Sequence, residues 1–142
     1  MTITRIKPQG LITANGIEYL STPTWAAGVN TYNVNNGYIF YHSTSPTANW
    51  TADFTNVPTD ATMIKNQAAT PAYGGFVVEV KIAAQIGATA YYPNAVRIDG
   101  TAQTVIGATA TASTNKFNVW TYHLWRVGSS WTKVILKNIE GF

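Results

Sequence analysis

"NKFNVWTYHLWRVGSSWTKVIL", from Asn115 to Leu136, is the stretch on which the fold turns. Its side chains alternate, which gives a strand two faces. Phe117, Val119, Thr121, His123, Trp125 and Val127 share the first face; Asn118, Trp120, Tyr122, Leu124 and Arg126 share the second. Large rings stand on both, although a strand in a two-layer sandwich needs only one apolar face. Gly128-Ser129-Ser130 breaks the run and predicts a hairpin turn between two strands. The second face, with Leu124, is assigned to the core. The first, with Phe117, Val119 and Trp125 as candidate subunit-interface residues, is assigned to contact with a symmetry mate. The reverse assignment satisfies the same alternation, and in either case both faces are covered.

Upstream of this stretch, "GGFVVEVKIAAQIG" (Gly74–Gly87) alternates most cleanly. Phe76, Val78, Val80, Ile82, Ala84 and Ile86 face inward as a half-buried strand, opposite Val77, Glu79, Lys81, Ala83 and Gln85. "AVRIDGTAQTVIG" reads as a hairpin, because Asp99-Gly100 suits a two-residue turn with positive φ. "NGYIFYHS" (Asn36–Ser43) is an aromatic and β-branched strand between turn signals. "TSPTANWTADFTNVPTD" reads as a long loop carrying one short strand anchored by Trp50 and Phe54. Asp60–Ala69 has room for a helical turn or two. Six to nine short strands predict an all-β single domain, a β-sandwich or jelly-roll-like fold over residues 25–142. Residues 1–24 read as a short N-terminal arm or short β segments.

The bulk numbers agree with one domain: 142 residues and no cysteine. The chain is long enough to bury a core without metal or disulfide. Disulfides and thiolate chemistry are excluded. Charged residues are only 11 %, against about 25 % in an ordinary soluble domain. The nine lysines and arginines are scattered singly, without the clustering a nucleic-acid face requires. No run approaches the roughly 18 apolar residues of a membrane span. The start "MTITRIKPQG" lacks the apolar core, roughly 7–15 residues long, of a secretory signal. The expectation is a chain made in the cytosol, with no membrane insertion and no nucleic-acid partner.

The chemistry inventory is thin. His42 and His123 sit inside alternating strands, which suits sheet residues better than catalysts. The six carboxylates, Glu18, Asp53, Asp60, Glu79, Asp99 and Glu140, form no pattern for a metal or for a glycosidase pair. No nucleophile elbow, phosphate loop or dinucleotide fingerprint occurs. The expectation is a non-enzyme with no cofactor. Sugar binding fits better, since exposed aromatic rings stack on pyranoses while amides bond their hydroxyls. Trp25, Tyr32, Trp50, Tyr91 and Tyr92 lie in or near loops, and Trp50, Tyr91 and Tyr92 are the candidate glycan contacts. Burial in the core competes for each of these rings.

Three stretches carry a resemblance: "NWTADFTNVPT" (Asn49–Thr59), "GATAYYPNAVRIDGTAQTV" (Gly87–Val105) and "FNVWTYHLWRVGSSWTKV" (Phe117–Val134). They resemble a small C-terminal module of virion structural proteins of tailed phages, especially phages of marine cyanobacteria. The likeness runs from about Asn49 to the C-terminus, with order and spacing retained. "MIKNQAATPAYGGF" and the ending "LKNIEGF" depart from it. The resemblance implies a part of the virion exterior: a capsid decoration or head-associated fibre or knob protein, with other virion proteins as partners. By analogy with phage knob and decoration modules it implies a homotrimer. A tail-fibre or receptor-binding head, or another carbohydrate-binding module contacting a host surface glycan, is the alternative.

Overall fold

A computed structural model describes residues 20–59 and 75–142, without the side chains of residues 138–140. Among the described residues, ten strands make two sheets. The larger has six strands in the order β1-β3-β5-β9-β10-β8. These are β1 (Leu20–Ser21), β3 (Ile39–His42), β5 (Gly75–Gln85), β9 (Phe117–Val127), β10 (Ser130–Gly141) and β8 (Val105–Gly107). The smaller has four in the order β2-β4-β6-β7: β2 (Val29–Asn33), β4 (Trp50–Thr55), β6 (Pro93–Ile98) and β7 (Thr101–Gln103). Val34–Asn36 form one turn of 3-10 helix between β2 and β3. The all-β, two-sheet expectation holds. Strands are longer than expected, with β5 and β9 at 11 residues and β10 at 12. The predicted turn over Asp60–Ala69, and the arm before Leu20, lie outside the described residues.

Connectivity distinguishes this sandwich. From β1 to β6 the chain changes sheet at every step, so odd strands stack in one sheet and even strands in the other. Neighbours β1–β3, β3–β5, β2–β4 and β4–β6 are all parallel. Parallel neighbours need a crossover, most often a helix. Here each crossover runs through a strand of the opposite sheet, so the chain coils around its own core. Jelly rolls and Greek keys are built from antiparallel neighbours. Antiparallel pairing enters here with β5–β9 and the hairpins β9–β10 and β6–β7.

Both hairpins form where turn chemistry predicts them. Asp99 and Gly100 have φ of 47° and 79°, the two positive values a type I′ turn needs. Three bonds fasten that turn to the end of β4. The Asp53 carboxylate accepts from Gly100 N–H at 3.0 Å, Asp99 Oδ1 accepts from Asn56 N–H at 2.8 Å, and Asp99 N–H donates to Phe54 O at 2.9 Å. In the β9–β10 hairpin, Val127 pairs with Ser130 around Gly128 (φ 58°) and Ser129. Register shifts after Trp131 and after Leu136 mark bulges in β10, which re-aim side chains along an otherwise alternating strand.

The core lies between the sheets and is built largely of rings. Trp50 and Trp120 meet edge to face with centroids 5.6 Å apart and Phe54 and Tyr122 at 5.7 Å, while Tyr32 and Phe40 are tilted at 5.1 Å. Phe40, Trp120, Tyr122, Leu124, Val134 and Leu136 of the large sheet, and Tyr32, Phe54, Val96 and Ile98 of the small one, are buried. Burying one such ring removes about 150–250 Å² from water, worth roughly 4–6 kcal/mol as an upper bound. Trp120 also donates its indole N–H to Thr111 O at 2.7 Å, so its one polar atom is satisfied. The second face of the 115–136 stretch is therefore the core face, as assigned.

Candidate functional site

Two regions carry side chains that the core does not use. The first is the outer face of the large sheet. Cross-strand register sets Val77 opposite Trp125, Glu79 opposite His123, Lys81 opposite Thr121, Ala83 opposite Val119 and Gln85 opposite Phe117. Directly opposed residues share a face. Phe117, Val119 and Trp125 thus lie on one surface, as expected, but not in one patch. Eight residues of strand, at about 3.3 Å each, separate Phe117 from Trp125 by roughly 26 Å.

At the Phe117 end the ring packs beside Tyr41 with centroids 5.9 Å apart, and both it and Val119 are half-buried. At the other end Trp125 is 39 % exposed, Val77 43 % and Val127 54 %. A groove of about 380 Å³ lies there, lined by Gly75, Phe76, Val77, Trp125, Arg126 and Val127. Alternation alone does not single out Val77, because it shares a face with Glu79 and Lys81; only the register with Trp125 reveals it.

Between the two ends sits a charged group. Glu79 Oε2 lies 2.7 Å from His123 Nε2, Glu79 Oε1 lies 3.3 Å from Lys81 Nζ, and Lys137 Nζ is 3.8 Å from Oε2. The bond from His123 holds the Glu79 carboxyl below its usual range; partial burial opposes this, and Lys81 and Lys137 add to the lowering. Such half-exposed pairs contribute little to stability. Their effect is to fix the orientation of side chains at the centre of the face.

The second region lies at one end of the sandwich, where the β1–β2 and β3–β4 connections meet. Trp25 stacks on His42 with centroids 3.5 Å apart and planes 7° from parallel. Its indole N–H donates to Thr44 O at 2.7 Å. Its ring meets Trp50 edge to face at 4.6 Å. His42 is 1 % exposed, and its Nε2 lies 3.0 Å from the Tyr32 hydroxyl. Burial pushes the His42 imidazole down to about 4, against a backbone bond to Pro23 that pulls upward, so the ring is neutral at pH 7. Burial likewise pushes the Tyr32 and Tyr122 phenols upward.

Beside Trp25 a cavity of about 230 Å³ is lined by Trp25, Ala26–Gly28, Asn30, Pro46–Asn49 and Trp50. Asn30 is buried and closes its own loop: Oδ1 accepts from Ala26 N–H at 2.8 Å and Nδ2 donates to Ala26 O at 3.2 Å.

The expected glycan contacts fall unevenly around this cavity. Trp50 is 2 % exposed, so its faces belong to the core, which corrects its assignment as a surface ring. Its strand alternates buried and half-buried residues, and Trp50 occupies the first buried position. Tyr91 and Tyr92 are half-buried and pack against the core cluster. They still belong to the same neighbourhood, since Trp50 N–H donates to Tyr92 O at 3.3 Å and Tyr92 N–H donates to Asn49 Oδ1 at 3.0 Å. Trp25, half-buried in its loop, supplies the accessible indole there instead of Trp50.

Among the described residues, no group of three or more His, Asp or Glu side chains could hold a metal ion. Asp53 and Asp99 spend carboxylate oxygens on backbone N–H groups. No helix among the described residues is long and apolar enough to cross a membrane. No protein-family model, curated protein sequence or solved structure matches this chain.

Proposed function

We propose that this chain is a non-enzymatic structural component of the exterior of a tailed-phage particle. Its job would be that of a capsid decoration or head-associated knob protein that assembles as a homotrimer and docks onto other virion proteins. One observation carries the assembly part of the reading: Val77, Trp125 and Val127 stand uncovered together on the outer face of the large sheet. Contiguous exposed apolar surface marks an interaction site, and interfaces between permanently associated copies resemble a core cut in half. Only 11 % of residues are charged, so little like-charge repulsion holds copies apart. The virion assignment rests on the resemblance to the phage module that runs from about Asn49 to the C-terminus.

A second reading, a tail-fibre receptor-binding head or free carbohydrate-binding module, is favoured by the cavity beside Trp25. The two readings are compatible. Light scattering of the purified chain tests the first. A mass near three times 15.4 kDa is expected. A monomer that persists at about 0.1 mM, where even a micromolar interface is occupied, would overturn the assembly part.

A further inference from the structure

We infer that the cavity beside Trp25 is a binding site for a single residue of a neutral saccharide. This deepens the carbohydrate-binding reading, on which it rests, and stands whether or not copies associate. The lining contains no Asp, Glu, Lys or Arg, so nothing in it compensates a charged ligand. What it offers is an indole, amides, a hydroxyl and small apolar groups. A pyranose ring has matching parts: apolar C–H faces and a rim of neutral hydroxyls.

The indole is fixed before any ligand arrives. His42 holds one face of Trp25, Thr44 O holds its N–H, and Trp50 packs against it edge to face. No rotamer entropy is then lost when a ring settles against its remaining surface. Asn49 is exposed, and Tyr92 N–H occupies its Oδ1. That bond orients the amide and leaves its NH₂ as a donor for a hydroxyl oxygen. Thr47, exposed beside it, adds a hydroxyl that can donate or accept. The Asn30 amide is spent on Ala26, so it shapes the floor rather than selecting the ligand. At about 230 Å³ the cavity is smaller than the roughly 300–1,000 Å³ of sites that engulf drug-sized molecules, which suits one ring rather than a chain.

The test is an NMR titration of the full chain with glucose, galactose, mannose, rhamnose and N-acetylglucosamine in turn. A ligand of about a dozen non-hydrogen atoms should bind in the millimolar range, roughly 1–10 mM. At least one sugar should give saturable shifts of the Trp25 indole N–H and of the amides of residues 26–28 and 47–50. Thr47→Trp fills the cavity from its exposed rim without touching the core, and should abolish those shifts while leaving the rest of the spectrum in place. No saturable shift from any of the five sugars at about 50 mM, several times that range, would overturn the inference. So would shifts that survive in Thr47→Trp, or that map to Trp125 and its neighbours.

Discussion

Lowering the pH from 7.5 to 5 should cost this fold about 2 kcal/mol through one side chain, His42. The imidazole is 1 % exposed, lies under Trp25 and beside the Tyr32 hydroxyl, and has its pKa pushed down by burial to about 4 from an ordinary 6.5. Between those values the unfolded chain binds a proton that the folded chain refuses. Stability is therefore full above pH 6.5 and falls until the folded pKa is passed. Each pH unit separating the two pKa values corresponds to about 1.4 kcal/mol, so the full loss is on the order of 3 kcal/mol, with about 2 kcal/mol gone by pH 5. Glu79 acts lower on the scale. Its depressed pKa gives stability above the ordinary carboxylate value that is lost as pH falls through the folded one. Urea unfolding followed by tryptophan fluorescence at pH 7.5, 6 and 5 measures the effect, and His42→Gln isolates it. The variant should be less stable at pH 7.5, having lost the stack on Trp25, but should lose about 2 kcal/mol less than the parent on going to pH 5. Equal pH dependence in parent and variant would show that His42 is not the group responsible.

On the outer face, Trp125→Lys removes roughly 100 Å² of exposed indole, worth about 2–2.5 kcal/mol per interface when covered. Association should weaken on the order of 50-fold in sedimentation experiments, with the thermal unfolding of the separated subunit nearly unchanged. In the core, Trp120→Ala should cost about 3–5 kcal/mol in urea unfolding, because the cavity opens between Trp50 and the indole N–H partner Thr111. Two glycines should separate conformational strain from crowding. Gly100→Ala (φ +79°, open space) should cost about 1 kcal/mol. Gly107→Ala should cost clearly more, since at φ +96° its Cβ would stand 2.6 Å from Leu136 O on the neighbouring strand. Equal urea midpoints for the two glycine variants would mean that crowding at Gly107 adds nothing.

Local features of this fold are written in the chain where short-range physics decides them. Asp99-Gly100 and Gly128 specify turns through backbone freedom alone, and both hairpins form around them. The period-two pattern of Phe76–Ile86 and of Phe117–Arg126 selects the buried faces, because a half-buried strand must alternate. Partner choice is another matter. Alternation says which face is buried but not which strand lies alongside, so the parallel ladders of β2, β4 and β6 leave no mark in the pattern. Trp50 shows the same limit. Read as an anchor of one short strand in a long loop and as a candidate glycan contact, it opens β4 and meets Trp120 edge to face in the core. The stack of Trp25 on His42 joins a residue of the β1–β2 connection to the last residue of β3 and has no local signature. The cavity it borders could be suspected only as a supply of loop aromatics.

If copies of this chain cover the outer face of the large sheet around Trp125, that surface is shielded from reagents in solution. The absence of cysteine allows one thiol to be placed at will and its reaction rate read without background. Val127→Cys sits on that face, and Thr109→Cys on an exposed loop serves as the reference. At concentrations where the protein is assembled, the Val127→Cys thiol should react with a maleimide at least about ten times more slowly than the reference, as a site desolvated by a packed interface would. That protection should vanish on dilution and in a Trp125→Lys background. Equal rates for the two thiols at every concentration would mean that the face stays open to solvent and that no second copy covers it.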